Sequence, residues 1–230
     1  MAARGMARLS RSFRVVSVRY VAGGGEGLEE IAADAAAWLR ALGEGPAVVI
    51  GESFGSLAAI QLALDFPMVV AAGGLVNGFA RYPRRWRLWT ARWVSAVLGG
   101  AGCRQLRRRY GARRLLGPRW RLQLAREIES HSPAFDALYR ARLRMISRVD
   151  LRPRLGEIAQ PFTLFASCCD AVAPSVECAR EMAARMRDAR VQLIHDAGHS
   201  VLGLDELPWP EWVADLCERG GSGGGGGAER

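Results

Sequence analysis

The stretch AVVIGESFGSLAAIQLALDFP, Ala47–Pro67, decides the fold of this 230-residue chain. It opens with a short apolar run, Ala47–Ile50, which predicts a buried β-strand. The pentapeptide GESFG at residues 51–55 follows, and apolar residues then continue to Pro67, filling a predicted helix. A strand, a G-x-S-x-G turn and a helix in this order are typical of a nucleophile elbow, in which a tight turn holds a serine at the carboxyl end of a strand.

Each residue of the pentapeptide has a predicted place in such an elbow. The turn leaves little room for side chains beside Ser53, so we expect glycine to be required at Gly51 and Gly55, with Glu52 completing the turn. The next helix points its free N–H groups at the serine, and the backbone N–H of Phe54 is a candidate oxyanion donor. An ordinary Gly/Ser turn remains the alternative.

The composition is that of one domain with ample material for a buried core, since half of its residues are hydrophobic. All 32 basic residues are arginine, and the net charge is +9. The five cysteines show no metal-binding spacing, so we expect reduced thiols, no metal and a cytoplasmic protein. No signal peptide and no apolar run of about 18 residues occurs, which predicts no membrane span.

Short apolar runs alternate with helical patterns outside the middle of the chain. The predicted strands are Phe13–Tyr20, Ala47–Ile50, Val69–Val76 (interrupted by Gly73-Gly74), Phe162–Ala166 and Val191–His195. The predicted helices outside the elbow are Leu28–Leu42, Ser175–Met186 and one near Trp209–Leu216. This alternation predicts an α/β fold, a mostly parallel sheet with helices on both faces.

The same patterns divide the chain into four predicted segments. Residues 1–78 form the first part of the core, with the elbow. Residues 79–153 form a helical insertion rich in Arg and Trp, and residues 154–218 complete the core. Residues 219–230 are expected to form a flexible Gly-rich tail.

Two loops after later strands carry candidate partners for Ser53. Catalytic groups of parallel sheets lie beyond the carboxyl ends of the strands, where Asp170 and His199 are both expected. The chain order serine, acid, histidine is the one expected for an elbow fold. His199 would accept the hydroxyl proton of Ser53, and Asp170 would fix the tautomer of the imidazole.

Each candidate also has a structural interpretation. Asp170 could cap the helix that starts near Ser175, and His199 could be a surface loop residue. Four rival groups are interpreted as strand-end, solvated, turn or boundary residues: His195, His131, Asp150 and Asp196.

Together these features resemble the α/β-hydrolase superfamily. The resemblance rests on residues 51–55 with Pro67, on Asp170–Pro174 and on Ala197–Ser200, and it spans most of the chain. It implies a serine hydrolase of the esterase, lipase or thioesterase kind, acting without a cofactor on a small or acyl ester through the three candidate residues. An amide hydrolase or an acyltransferase is equally compatible with it. The serine at the elbow argues against the dehalogenase and epoxide hydrolase branches.

One departure from the family concerns its first three strands, which have no counterpart in the mostly basic residues before Phe13. The family's third strand normally lies between those matching Phe13–Tyr20 and Ala47–Ile50, and the loop after it supplies the second oxyanion N–H. The resemblance therefore implies an N-terminally shortened core. Either the two flanking strands pair directly, or another chain fills the gap, or the start of this chain is late, which we favour. A truncated, non-catalytic homologue is the alternative function.

The insertion is strongly basic, since residues 66–126 contain no Asp or Glu. Trp86, Trp89 and Trp93 recur on one helix face. The resemblance makes this segment a cap over the active site. We expect the Trp face to pack on the domain; the alternatives are contact with anionic lipid or another interface, and an anionic substrate such as an acyl-CoA phosphate. No nucleic-acid motif is present, so no nucleic-acid partner is expected, and the sequence defines no oligomeric state.

Overall fold

The computed structural model describes residues 7–18, 27–43, 45–115, 137–202, 204 and 206–222. Its helices and strands, in chain order, are α1 (Leu28–Leu42), β1 (Ala47–Glu52), α2 (Phe54–Asp65), β2 (Val70–Val76), α3 (Arg85–Leu115), α4 (Ala137–Arg148), β3 (Phe162–Ser167), α5 (Ser175–Ala183), β4 (Ala189–Ile194) and α6 (Trp209–Ser222). Short 3-10 helices precede β2 and β3, at Pro67–Val69 and Arg152–Glu157.

The described strands form one parallel sheet in the order β1-β2-β3-β4. Successive side chains of a strand point to opposite faces. Leu75 and Leu164 accordingly join the core that contains residues of α1, α2 and α5, while Val76 and Phe165 join a second core with α6. The predicted α/β fold, a parallel sheet with helices on both faces, is therefore confirmed.

The two glycines of β2 do not interrupt the strand, contrary to the prediction. Gly73 and Gly74 pair with Phe162 and Thr163 of β3 in unbroken register. A β-carbon at Gly73 would overlap the ring of Phe162. Glycine thus lets an aromatic ring lie directly on the strand, which a side chain would prevent.

The strand predicted at Phe13–Tyr20 is wrong where the structure describes it. Residues 13–18 have no regular secondary structure, and residues 19–20 lie outside the described residues. Among the described strands, β1 pairs only with β2, so the direct pairing considered above is not seen. An extended segment becomes a stable strand only when a neighbour pairs with its backbone, and no described strand does so here.

The last helix extends beyond its predicted end at Leu216. Arg219, in its last part, donates from Nη1 to Thr163 Oγ1 across 2.9 Å and from Nη2 to Asp188 Oδ1 across 2.7 Å. Gly220 lies against the backbone of Ala71. Residues 219–222 therefore belong to α6 rather than to the predicted flexible tail, and residues 223–230 lie outside the described residues.

The Trp face of α3 does not pack on the domain, so that expectation is also wrong. The face that α3 buries includes Leu88 and Ser95 instead, at 6% and 1% exposure. The three indoles are each 62–64% exposed: Trp86, Trp89 and Trp93. The helical pattern therefore identified a real face but assigned it to the wrong side, because hydrophobicity alone does not tell which face meets the core. Residues 116–136, with His131, lie outside the described residues.

Candidate active site

Ser53 stands at a strained turn between β1 and α2. Its φ of 54° is unusual for a residue other than glycine, and its N–H donates to the carbonyl of Val76 across 2.9 Å. A β-carbon at Gly51 would overlap the backbone of Gly55, as predicted. A β-carbon at Gly55 would meet no atom of the described residues within 4 Å. The predicted steric requirement therefore holds for Gly51 and is wrong for Gly55.

The structure brings the three candidate side chains into one hydrogen-bonded chain. Oγ of Ser53 lies 2.8 Å from Nε2 of His199. Nδ1 of the same imidazole lies 2.7 Å from Oδ2 of Asp170. The side chains of His199 and Asp170 are 9% and 1% exposed, so water screens their interaction weakly. His199 is therefore not a surface loop residue.

The charges at the site define the direction of these hydrogen bonds. Burial would raise the pKa of Asp170, but hydrogen bonds from His199, Ser175 and the Ala173 N–H, with the charge of His199, hold that pKa below its ordinary value. An ionised carboxylate only accepts, so Nδ1 of His199 carries a proton and donates it. In the neutral imidazole, Nε2 is then free to accept from the Ser53 hydroxyl.

The pKa of His199 is shifted in the opposite direction. Burial lowers it, but the hydrogen bond and charge of Asp170, together with the charge of Glu52, outweigh burial and raise the pKa above its ordinary value. The surrounding carboxylates thus stabilise the imidazolium that would form when His199 accepts a proton.

The loop of Asp170 orients its carboxylate. Oδ1 accepts hydrogen bonds from the N–H groups of Val172 and Ala173, at 2.8 and 3.0 Å, and Oδ2 accepts from the hydroxyl of Ser175. The N-cap residue of α5 is Pro174, and no side chain caps that helix. The helix-cap interpretation of Asp170 is therefore wrong, and its Oδ2 accepts from Ser175 while also meeting Nδ1 of His199.

Asn77 is a site residue that the sequence analysis missed. It follows β2 directly, is fully buried and has a φ of 49°. Its Nδ2 donates to the carbonyls of His199 (2.7 Å) and Gly198 (3.1 Å) and to Oγ of Ser167 (3.0 Å), while its Oδ1 accepts from the N–H of Ser167. A polar residue at the carboxyl end of a buried strand is the signal that could have indicated it.

Glu52 has a contact that its place in the pentapeptide did not predict. Its Oε1 accepts hydrogen bonds from the N–H groups of Val201 (2.9 Å) and Leu202 (3.2 Å). Glu52 therefore holds the backbone just after His199, as Asn77 holds the backbone at His199 itself. No pattern in the sequence joins residues 52 and 201.

The rival groups have other contacts. His195 is exposed, with Nδ1 3.8 Å from Sγ of Cys168. Asp150 accepts a hydrogen bond from Nε of Arg152 across 2.8 Å, and Asp196 occupies a turn with φ of 58°. The contacts of Asp150 and Asp196 agree with the boundary and turn interpretations made from the sequence. The strand-end interpretation of His195 is wrong, because β4 ends at Ile194 and His195 lies in the turn after it.

The first turn of α2 and the insertion contribute neighbours to the elbow and to the loop of Asp170. Phe54 is the first residue of α2, so its N–H has no partner within the helix. The guanidinium of Arg142 in α4 lies 5.9 Å from the centre of the Phe54 ring, and Nη1 of Arg87 in α3 donates to the carbonyl of Ala171 across 3.3 Å. The two helices of the insertion that the structure describes therefore contact the elbow or the loop after Asp170.

The part of the chain that the structure describes has neither a metal-binding cluster nor a membrane-spanning helix. None of its His, Cys, Asp and Glu side chains form a group of three or more that could hold a metal ion. None of its helices has the length and apolarity needed to cross a bilayer.

Comparison with known proteins agrees with this architecture. The sequence pattern of the alpha/beta hydrolase family matches residues 4–215. An esterase from Thermogutta terrifontis has a similar structure, with a TM-score of 0.75 and 23% identity over 93% of this chain and 84% of that one. An enol-lactonase from Burkholderia xenovorans has a TM-score of 0.76 and 21% identity, over 94% of this chain and 85% of that one. A hydrolase from Oleispira antarctica has a TM-score of 0.75 and 20% identity, also over 94% of this chain and 85% of that one. At these identities the structures support the fold, while the family pattern covers most of the chain; the protein belongs to the α/β hydrolase family.

Proposed function

We propose that this α/β hydrolase is a serine hydrolase that cleaves a carboxylic ester or thioester. One observation carries the proposal: an unbroken hydrogen-bonded chain runs from Ser53 through His199 to a buried Asp170. Family membership supports hydrolysis in general, and the strained backbone of Ser53 supports its role as the nucleophile.

The reaction follows from the positions of these groups. Oγ of Ser53 attacks the carbonyl carbon while Nε2 of His199 takes its proton, and the carbonyl electron pair moves to oxygen near the N–H of Phe54. The intermediate collapses, the alcohol or thiol leaves with the proton from His199, and an acyl-enzyme remains. Water then gives a proton to His199 and attacks the acyl carbon. The bond to Oγ of Ser53 breaks, His199 returns the proton to that oxygen, and the acid is released. Asp170 stays ionised throughout.

A fluorophosphonate probe and p-nitrophenyl butyrate test this proposal. Wild-type protein should be labelled and should hydrolyse the ester, and Ser53→Ala should lose both activities. Ser10→Ala is the matched control, because its hydroxyl is exposed and donates to the nearby carbonyl of Ala7 across 3.0 Å. Ester turnover that survives Ser53→Ala would overturn the proposal.

A non-catalytic homologue is the second candidate, and the basic insertion is the observation that favours it. In that case residues 79–153 would bind an anionic partner or a membrane surface, and the serine would be idle. Folded wild-type protein that takes up no fluorophosphonate would support this candidate and contradict the first.

A further inference from the structure

The exposed face of α3 presents a row of large apolar side chains to solvent. Its members recur at helical spacing and are each 62–64% exposed: Trp86, Trp89, Trp93 and Val97. We call these four residues the Trp row. Isolated exposed apolar residues are ordinary, but a contiguous row of this size marks a contact with another apolar phase.

A cavity of about 320 Å³ opens beside the Trp row, between α3 and α4. Its lining residues are Trp89, Arg92, Trp93, Ala96, Arg140 and Arg144. No described residue forms a hydrogen bond or ion pair with the guanidinium groups of the three arginines, which we call the Arg trio. Three guanidinium groups around one cavity suit an anion with several oxygens, such as a phosphate.

The two described helices that line the cavity contain no acidic residue. Neither the α3 nor the α4 sequence contains Asp or Glu, and α4 contains four arginines within twelve residues. The nearest chain neighbours of the Arg trio therefore add positive potential and do not neutralise it. This surface requires a partner that is both anionic and able to accept indole and aliphatic side chains.

We propose that this face of α3 and α4 docks on an anionic phospholipid surface. The Trp row enters the boundary between head groups and acyl chains, where indole rings are favoured, and the Arg trio binds lipid phosphates in the cavity. The docking surface lies beside the candidate active site, since Arg142 on α4 contacts Phe54 and Arg87 on α3 contacts the loop of Asp170.

Two other occupants fit this surface less well. A second copy packed face to face would bring two arginine-rich surfaces together, which like charges oppose. A nucleic acid would match the charge and stack on indoles, but it offers no apolar phase for Val97 or for Leu98 beside it, which is 47% exposed.

Vesicle sedimentation of the full chain tests the proposal. Vesicles of phosphatidylcholine with phosphatidylglycerol should bind the wild-type protein, and vesicles of phosphatidylcholine alone should bind it much less. Replacing the Arg trio (Arg92→Gln, Arg140→Gln and Arg144→Gln) should lower the partition coefficient by about 100-fold, because each basic residue near an anionic surface contributes about 1 kcal/mol. Replacing the three tryptophans of the Trp row by Ser should also abolish most of the binding.

The controls remove the same groups elsewhere. Trp38→Ser removes an indole that is 56% exposed on α1, and the triple change of Arg185, Arg187 and Arg190 to Gln removes three charges outside the insertion. Both controls should keep most of the binding, with circular dichroism to verify folding of every variant. The proposal fails if the controls lose as much binding as the test variants, or if lipid charge has no effect. It also fails if loss of the Trp row only breaks a dimer, or if duplex DNA binds and vesicles do not. Fluorophosphonate labelling of the same preparations tests the proposed function independently.

Discussion

The side-chain amide of Asn77 donates a hydrogen bond to the backbone carbonyl of His199 across 2.7 Å, although the two residues are 122 positions apart. The amide is fully buried and also reaches Gly198 and Ser167. It therefore joins the ends of β2 and β3 to the loop that carries the imidazole. Breaking one of these buried hydrogen bonds is costly, because no water takes the place of the lost partner. The bonds of Asn77 therefore hold the loop of His199 in one position.

Replacing Asn77 should misplace His199. Asn77→Ala leaves the carbonyl groups of Gly198 and His199 without their donor, so we expect a loss of about 1–3 kcal/mol in the free energy of unfolding. We also expect kcat to fall by about 10- to 100-fold with little change in KM, because a small displacement of a catalytic group affects the transition state most. Urea unfolding and ester kinetics measure both. Ser167→Ala is the control; it removes one partner of Asn77 and leaves the His199 contact. An equal loss of kcat in that control would contradict the role of Asn77.

Glu52 has a structural role, holding the backbone after His199, and an electrostatic role, raising the pKa of His199. Two variants separate these roles. Glu52→Gln keeps an oxygen that accepts from the N–H groups of Val201 and Leu202 but removes the charge that raises the pKa of His199. We expect this variant to fold normally and to shift the pH–rate midpoint downward. Glu52→Ala should shift the midpoint and also lose stability. An unchanged midpoint in Glu52→Gln would show that the charge of Glu52 has no influence on the base.

The pH dependence of activity follows from the raised pKa of His199. The imidazole acts as a base only when neutral, so kcat/KM should increase with pH and have its midpoint above about 6.5, the ordinary histidine value. Asp170→Asn removes the main group that raises this pKa, so the midpoint of its residual activity should fall. Its kcat should also fall by about 10³- to 10⁴-fold, because the imidazole loses the carboxylate that fixes its tautomer. A wild-type midpoint below the ordinary value would contradict this electrostatic account.

The same pair makes stability depend on pH in two windows. The pKa of His199 is raised in the folded state, so its contribution is fully present below about 6.5 and is lost as pH rises through the folded pKa. The pKa of Asp170 is lowered, so its contribution is present above about 3.9 and is lost as pH falls through the folded pKa. Asp170→Asn should flatten both parts of the profile of unfolding free energy against pH, and a profile identical to wild type would contradict the assignment.

The two glycines of the elbow should respond differently to alanine. Gly51→Ala places a β-carbon on the backbone of Gly55, so we expect a loss of about 1–3 kcal/mol in the free energy of unfolding. Gly55→Ala meets open space among the described residues at the start of α2, so its stability should stay within about 0.5 kcal/mol of wild type or exceed it. Urea unfolding of the two variants provides the comparison. A similar loss in both would mean that the turn excludes side chains on either side of Ser53.

Much of the site could be predicted because its parts are local in sequence. The elbow pattern gave the position of Ser53, and the loops after two apolar runs gave Asp170 and His199. Strand ends were predicted to within a few residues, since apolar runs identify buried segments. The strand predicted at Phe13–Tyr20 was wrong where the structure describes it, because a β-rich run does not show whether a neighbouring strand exists to pair with it. The prediction that the Trp row packs on the domain was wrong, because periodicity defines a helix face but not the side on which the core lies.

The sequence by itself determined the alternation of strands and helices, the elbow and the choice of three candidate catalytic residues, because these depend on residues close together in the chain. Only the tertiary structure decided which groups touch: that His199 rather than His195 reaches Ser53, that Asn77 and Glu52 hold the histidine loop, and that the indoles face solvent. The physical reason is that hydrogen bonds and burial depend on distances between segments. Those distances are fixed only when the sheet and its helices pack together.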